Sequence, residues 1–155
     1  MFKTVFVALG LSLLCGEAFA KDDAASPREI AESWIAAYGA QDFEAMRALL
    51  TDESVFIDPT SFDRPEVSET INWTGPDAII AGVSAWGISH GEYDVSRTYE
   101  SSGRVVFNAV MTVAYASPNG EIVYFYPITT IITVEDGHVI EHRDYTDFEG
   151  MRPAE

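Results

Sequence analysis

Apolar residues recur at helical spacing in the first part of the chain and alternate with polar ones along most of the remainder. The first helical stripe consists of Ile30, Trp34, Ile35 and Tyr38. It follows a good helix start, with Ser26 as N-cap, Pro27 at the first helical position and Glu29 at the third. We therefore predict a helix that ends near Gly39, since glycine favours termination.

Two further helices are predicted by the same signals. Asp42 is a suitable N-cap for a short second helix. Its buried face is predicted at Phe43, Met46, Leu49 and Leu50. Pro76 and Asp77 begin a third helix that extends to about Trp86, with Ile79, Ile80 and Val83 buried. Each helix has one apolar face, so each needs a surface to cover.

The rest of the chain predicts strands. A short strand over residues 54–58 is stopped by Pro59, and residues 60–75 are interpreted as a loop or irregular hairpin. Four longer strand-like runs follow, at about residues 90–100, 104–117, 121–134 and 138–146. The joints between them carry glycine-containing hairpin signals. Helices followed by an antiparallel meander predict an α+β fold, with the three helices on one face of a curved sheet and a cavity between them.

The last strand carries polar residues that need an explanation. Alternation predicts one face made of His138, Ile140, His142, Asp144 and Thr146. It predicts the opposite face from Val139, Glu141, Arg143, Tyr145 and Asp147. If the first face lines the cavity, Asp144 and His142 lie near Asp58 at the end of the first strand, within apolar walls. The same alternation predicts that these walls include Phe56, Phe107, Ala109 and Met111. A carboxyl group desolvated in this way becomes a better base.

The first twenty residues have the features of a cleaved secretory signal peptide. Lys3 precedes a short apolar run, and Ala18 and Ala20 form a small-x-small cleavage site. A lipoprotein anchor on Cys15 is the alternative, but Leu14 is too large for the position before such a cysteine. We expect residues 1–20 to be the leader and residues 21–155 to be one exported domain without a thiol, secreted or periplasmic.

Charge and motifs exclude several classes of partner. The chain has 25 acidic residues against 9 Lys and Arg, a net charge of −16 that repels nucleic acids and anionic membranes. It contains no Gly-rich phosphate loop and no dinucleotide fingerprint, so no cofactor is predicted. His138 and His142 are separated by about 13 Å on a strand and cannot share one ion, so no metal site is predicted either.

The order of elements resembles the cone-shaped fold of the nuclear-transport-factor-2-like superfamily, especially its SnoaL-like branch. Four segments carry the resemblance, at residues 38–45, 51–59, 75–79 and 137–145. They look like the first interhelical turn, the first strand, the entry to the third helix and the last strand of that family. The resemblance implies a single domain with the helices packed on the concave side of the sheet. It also implies association as a homodimer through the outer face of the sheet, where Val139 and Tyr145 are predicted.

The resemblance also permits a check of known sites. Asp58 matches the general base of ketosteroid isomerases, but their two oxyanion donors fall on Trp34 and near Pro127. Tyr124, Tyr126 or the Trp34 indole are the available substitutes. Asp144 matches the last aspartate of limonene-epoxide hydrolases, whose Arg-x-Asp pair falls here on Ala109 and Met111. SnoaL-type cyclases place an acid–base aspartate at the position of Asp144, which makes them the nearest match.

Two functions remain open from the sequence. One is acid–base catalysis on a hydrophobic carbonyl compound, of the isomerase, cyclase or dehydratase type, by Asp144 with Asp58 and His142. The predicted ligand contacts are Trp34, Phe56, Phe107, Met111 and Tyr126. The other is a non-catalytic ligand-binding or interaction module, in which Asp58 forms an Asx turn and Asp144 only bonds a neighbouring element. An open cavity lined by both carboxylates favours catalysis, whereas a filled one excludes it.

Overall fold

The computed structural model describes residues 25–64 and 69–154, so the predicted leader lies outside the described residues. The helices are α1 (Pro27–Ala40), α2 (Phe43–Ala48) and α3 (Pro76–Ala85). The strands are β1 (Leu50–Asp58), β2 (Ile71–Thr74), β3 (Ile88–Ser101), β4 (Arg104–Ser117), β5 (Gly120–Glu135), β6 (His138–Thr146) and β7 (Arg152–Pro153). A 3₁₀ turn, Pro59–Asp63, follows β1. The α+β class predicted from the sequence is confirmed.

Helix α1 begins as predicted, with a reciprocal capping box between Ser26 and Glu29. It continues past Gly39 to Ala40, and Gln41 takes the left-handed conformation that closes it, at φ 55°. Gly39 is needed for a different reason. A Cβ atom there would lie 2.9 Å from the carbonyl oxygen of Gly91 on β3. The glycine therefore permits close packing of α1 on the sheet.

The sheet has the order β2-β1-β6-β5-β4-β3, with β7 added beside β5. All pairs are antiparallel except β1 with β6, which is parallel and joins the first strand to a strand near the end of the chain. Part of the predicted loop at 60–75 is the strand β2, which pairs with β1 through Phe56 opposite Trp73. Leu50, predicted on the second helix, begins β1 instead.

A bulge corrects the predicted faces of β6. Thr133 pairs with Glu141, while the next residue on β5, Val134, pairs with Val139. One extra residue therefore lies on β6 at this point, and the alternation changes phase. Val139, predicted on the outer face, is 0 % exposed in the core and offers nothing to a dimer partner. Tyr145 is 42 % exposed, as an outer-face residue should be.

The core lies between the concave side of the sheet and the helices. Its fully buried large side chains include Trp34, Tyr38, Phe56, Phe107, Met46, Ile79 and Ile132. Within the described part of the chain, no helix is both long and apolar enough to cross a membrane. The packing leaves one end of the cone open, and the candidate site lies there.

Candidate active site

A cavity of about 560 Å³ opens between the sheet and α1. Two carboxylates reach its wall, Asp58 from the end of β1 and Asp144 from β6. The remaining wall is mostly aromatic and aliphatic, with Tyr38, Ile71, Trp86, Ile88, Met111, Val113, Tyr115, Ile122, Tyr124, Tyr126, Ile128, Phe148 and Met151. Because β1 and β6 run parallel, both strands deliver their carboxylates to the same end of the sheet.

Asp144 is 3 % exposed and is held by its neighbour across the sheet. Thr130 on β5 lies directly opposite, and its hydroxyl donates to Asp144 Oδ1 at 2.5 Å. The Thr130 hydroxyl is also 3.3 Å from the phenol oxygen of Tyr93. A polar chain therefore runs from β3 across β5 to the carboxylate, through otherwise apolar packing.

His142 lies behind Asp144 and does not line the cavity, which corrects the predicted position of its side chain. The ring is 1 % exposed and stacks on Phe56 at a centroid distance of 4.1 Å. The indole N–H of Trp34 donates to His142 Nδ1 at 2.7 Å. His142 Nε2 lies 2.8 Å from Asp144 Oδ2, but its N–H direction is bent, so it makes no well-aligned hydrogen bond to any described residue.

Asp58 combines a structural role with a place on the cavity wall. Its Oδ1 accepts from the backbone N–H and the hydroxyl of Thr60, at 2.9 and 2.6 Å. Its Oδ2 accepts from the Thr146 hydroxyl at 3.2 Å. Burial raises the pKa of Asp58, and the negative charge of Asp144 adds to the rise, while the hydrogen bonds from Thr60 oppose it. The hydrogen bond from the backbone N–H of Thr60 forms the Asx turn that the non-catalytic alternative predicts.

The structure divides the five predicted ligand contacts between the cavity wall and the core. Met111 and Tyr126 line the cavity, whereas Trp34, Phe56 and Phe107 are buried in the core beneath it. Phe56 is enclosed by aromatic rings, and Trp34 points its polar atom at His142. The Trp34 indole therefore cannot serve as a cavity donor in place of the missing oxyanion tyrosine. Strand alternation identified the inward face but not the depth at which each side chain ends.

Tyr38 lines the cavity, although its place in the apolar stripe of α1 is typical of a core residue. It lies one helical turn after Trp34 and reaches the cavity wall. Burial raises the pKa of the Tyr38 phenol well above 10, with smaller contributions from Tyr93, Asp144 and Asp58. The phenol therefore stays protonated and remains a hydrogen-bond donor. Its helical spacing from Trp34 was the signal in the sequence.

The cavity wall also includes the side chain of Arg64 beside aromatic residues. The guanidinium of Arg64 lies 5.7 Å from the centre of the Phe148 ring. Burial raises the pKa of Tyr126 to about 12, with a further rise from Tyr115. Among the described residues, no group of three His, Cys, Asp or Glu side chains is arranged to hold a metal ion. The arrangement offers carboxylates and phenols for proton transfer in apolar surroundings.

Comparison with known proteins identifies the family. Residues 31–142 match the SnoaL-like domain. The chain belongs to the SnoaL-like family. No curated protein matches the sequence of this SnoaL-like chain.

Solved structures share the SnoaL-like fold at low sequence identity. A provisionally assigned SnoaL-like polyketide cyclase from Shewanella putrefaciens has a TM-score of 0.69 and 18 % identity, over 79 % of this chain and 90 % of its own. The Delta 5-3-ketosteroid isomerase of a Mycobacterium species has a TM-score of 0.69 and 20 % identity, over 84 % and 100 %. A ketosteroid-isomerase-like protein from Catenulispora acidiphila, in complex with trimethylamine, has a TM-score of 0.61 and 16 % identity, over 77 % and 86 %. These similarities establish the fold of the SnoaL-like chain.

Proposed function

We propose that the protein is an acid–base catalyst that acts on a hydrophobic carbonyl compound, with Asp144 as the base. The observation that carries this proposal is the convergence of Asp144 and Asp58 on one apolar cavity of about 560 Å³. That volume falls within the range of about 300–1,000 Å³ usual for small-molecule sites. A buried carboxylate in a largely apolar wall is suited to removing a weakly acidic proton.

The chemistry consists of proton transfers. The Asp144 carboxylate removes a proton from the carbon next to the carbonyl, which breaks a C–H bond, forms an O–H bond on Asp144 and moves the electron pair towards the carbonyl oxygen. Tyr38, whose raised pKa keeps its phenol protonated, donates a hydrogen bond to that oxygen. Asp144 then returns the proton to the same carbon or to a conjugated one, and the electron pair forms the new C–H bond.

A second candidate function is supported by the contacts of the carboxylates themselves. Asp58 accepts three hydrogen bonds from Thr60 and Thr146, an arrangement that also stabilises the end of β1 without any ligand. Asp144 is likewise held by Thr130. A protein that only binds an apolar ligand has the same cavity and the same buried contacts. The two functions differ in whether a bound carbonyl compound exchanges its protons.

The test is deuterium exchange at the carbons next to the carbonyl. We expect the mature chain to accelerate exchange into 2-acetylnaphthalene and related hydrophobic methyl ketones in D₂O, measured by proton NMR. Asp144→Asn should abolish the acceleration while circular dichroism shows that the fold is retained. Asp94→Asn, which alters an exposed strand carboxylate, is the matched control and should exchange like the native chain. Bound ketone without exchange would favour the binding function, and unaltered exchange in Asp144→Asn would exclude Asp144 as the base.

Export is part of the same proposal. The positive Lys3, the short apolar run and the Ala18–Ala20 site support cleavage of residues 1–20, and hence a secreted or periplasmic protein. N-terminal sequencing of the protein recovered from the exported fraction should begin at Lys21. Recovery of a chain that still begins at Met1 would contradict export by cleavage.

Homodimer formation also remains a proposal. Tyr145 is available on the outer face of the sheet, whereas Val139 is not. Light scattering at micromolar concentration should give twice the mass of the mature chain. Tyr145→Arg should reduce the measured mass to that of a single chain. A native chain that scatters as a monomer would refute the dimer.

A further inference from the structure

The buried contact between Trp34 and His142 determines where the imidazole carries its proton. An indole nitrogen can only donate a hydrogen bond, and the Trp34 N–H lies 2.7 Å from His142 Nδ1. Nδ1 must therefore present a lone pair. A neutral imidazole carries one proton, which is then on Nε2. Both side chains are almost completely buried, so water cannot replace the Trp34 donor.

The His142 ring is also fixed in orientation. It stacks on Phe56 with an interplanar angle of 15°, and it meets the rings of Tyr38 and Trp34 edge to face. These contacts hold the ring with Nε2 at 2.8 Å from Asp144 Oδ2. The protonated nitrogen therefore faces the carboxylate and the bare nitrogen faces away from it.

Asp144 is therefore hydrogen-bonded at one oxygen and closely approached at the other. Thr130 donates to Oδ1 at 2.5 Å, and His142 Nε2 lies 2.8 Å from Oδ2. The second contact is bent in this structure, and Nε2 has no aligned partner among the described residues. A donor that is close but poorly aligned still attracts a carboxylate, and such contacts often align fully when a ligand closes the site.

We propose that Trp34 and His142 are positioning residues for Asp144, and that His142 keeps its Nε2 proton and neither accepts nor donates a proton during the reaction. This inference rests on the proposed function, since it assigns roles around the same base. To accept the proton that Asp144 removes, His142 would need an unprotonated Nε2. The single proton of the neutral ring would then lie on Nδ1, where it would face the N–H of Trp34. The Trp34 hydrogen bond therefore opposes proton transfer to His142. The proton taken from the ligand therefore remains on Asp144 until it is returned.

The tautomer can be measured without any activity. Long-range proton–nitrogen NMR spectra of the labelled native chain should show His142 with a protonated Nε2 and an unprotonated Nδ1 at neutral pH. The chain has three histidines, and the His142 signals are those lost in His142→Gln. Trp34→Phe should convert His142 to a mixture of tautomers. A native His142 protonated at Nδ1, or at both nitrogens, would overturn the inference even if exchange activity is absent.

Kinetics separate a positioning role from proton transfer. A glutamine side chain has one acceptor group and one donor group, so His142→Gln can accept from Trp34 and donate to Asp144. An amide does not gain or lose a proton at neutral pH, so this variant cannot transfer a proton. We expect His142→Gln to retain exchange within about tenfold of the native rate, and His142→Leu and Trp34→Phe to lose about 10- to 100-fold in kcat with KM nearly unchanged.

The controls distinguish failure of this inference from failure of the proposed function. A native chain without exchange activity would contradict the proposed function, and the tautomer measurement would still decide whether Trp34 fixes His142. An active native chain in which His142→Gln is as inactive as Asp144→Asn, with an unchanged fold by circular dichroism, would make His142 a proton carrier and overturn the inference. Trp34→Phe with native kcat would overturn it as well.

Discussion

Replacing Thr130 by valine removes one hydrogen bond to Asp144 without changing the volume of the side chain. Thr130 is fully buried, and its hydroxyl donates to Asp144 Oδ1 at 2.5 Å. A hydrogen bond to a charged group is worth about 1.5–3 kcal/mol, and Thr130 is buried, so no water occupies the position of its hydroxyl. For a domain of this size that loss lowers the melting temperature by roughly 5–15 °C.

Thr133→Val is the matched control for this prediction. Thr133 lies on the same strand and is also buried, but its hydroxyl makes no hydrogen bond to a carboxylate among the described residues. We expect this variant to lose less than about 1 kcal/mol. Thermal unfolding and urea titration, followed by circular dichroism at neutral pH, measure both variants. Equal losses in Thr130→Val and Thr133→Val would refute the claim that Asp144 depends on Thr130.

Two further predictions concern Asp58 and the contact between α1 and β3. Burial raises the pKa of the Asp58 carboxyl in the folded chain above its unfolded pKa of about 3.9. Between these two pKa values the folded chain binds the Asp58 proton and the unfolded chain does not. The free energy of unfolding therefore falls as the pH rises through this interval. Asp58→Asn should therefore gain stability relative to the native chain as pH rises through that interval in urea titrations; a constant difference would contradict the raised pKa. Gly39→Ala should lower the free energy of unfolding by about 1–3 kcal/mol, because the added Cβ would lie 2.9 Å from the carbonyl oxygen of Gly91. An unchanged midpoint in urea would contradict this steric conflict.

Local signals in the sequence were sufficient for the helices. The capping box between Ser26 and Glu29 and the Asp42 N-cap are satisfied within a few residues, so the sequence specifies them directly. The hairpin turns between the long strands are local for the same reason. Predictions based on such short-range chemistry were confirmed to within a few residues at the helix starts.

Long-range pairing could not be predicted from local patterns. The parallel pairing of β1 with β6 joins segments at opposite ends of the domain, and nothing in either segment specifies it. The bulge on β6 depends on the register with β5, so strict alternation placed Val139 on the wrong face. A single extra residue on a strand shifts the alternation by one position. The residues on its N-terminal side then face the opposite side of the sheet from the one predicted.

The two carboxylates of the candidate site were predictable from strand alternation together with the family resemblance. Alternation predicts that Asp144 lies near Asp58 if its face lines the cavity, the resemblance matches each aspartate to a known site, and both line the cavity. The bond between Trp34 and His142 joins residues 108 positions apart and has no sequence signature. The sequence therefore identified the carboxylates but not the pair of rings behind Asp144.

The central premise of the account, shared by both candidate functions, is that the cavity binds a hydrophobic carbonyl compound. It is tested most directly by tryptophan fluorescence. Trp86 is the only one of the three tryptophans, all of them in the described residues, that lines the cavity. Titration with 2-acetylnaphthalene and related hydrophobic ketones should quench the emission saturably at one ligand per chain. Emission that shows no saturable change with any of these ketones would contradict the account.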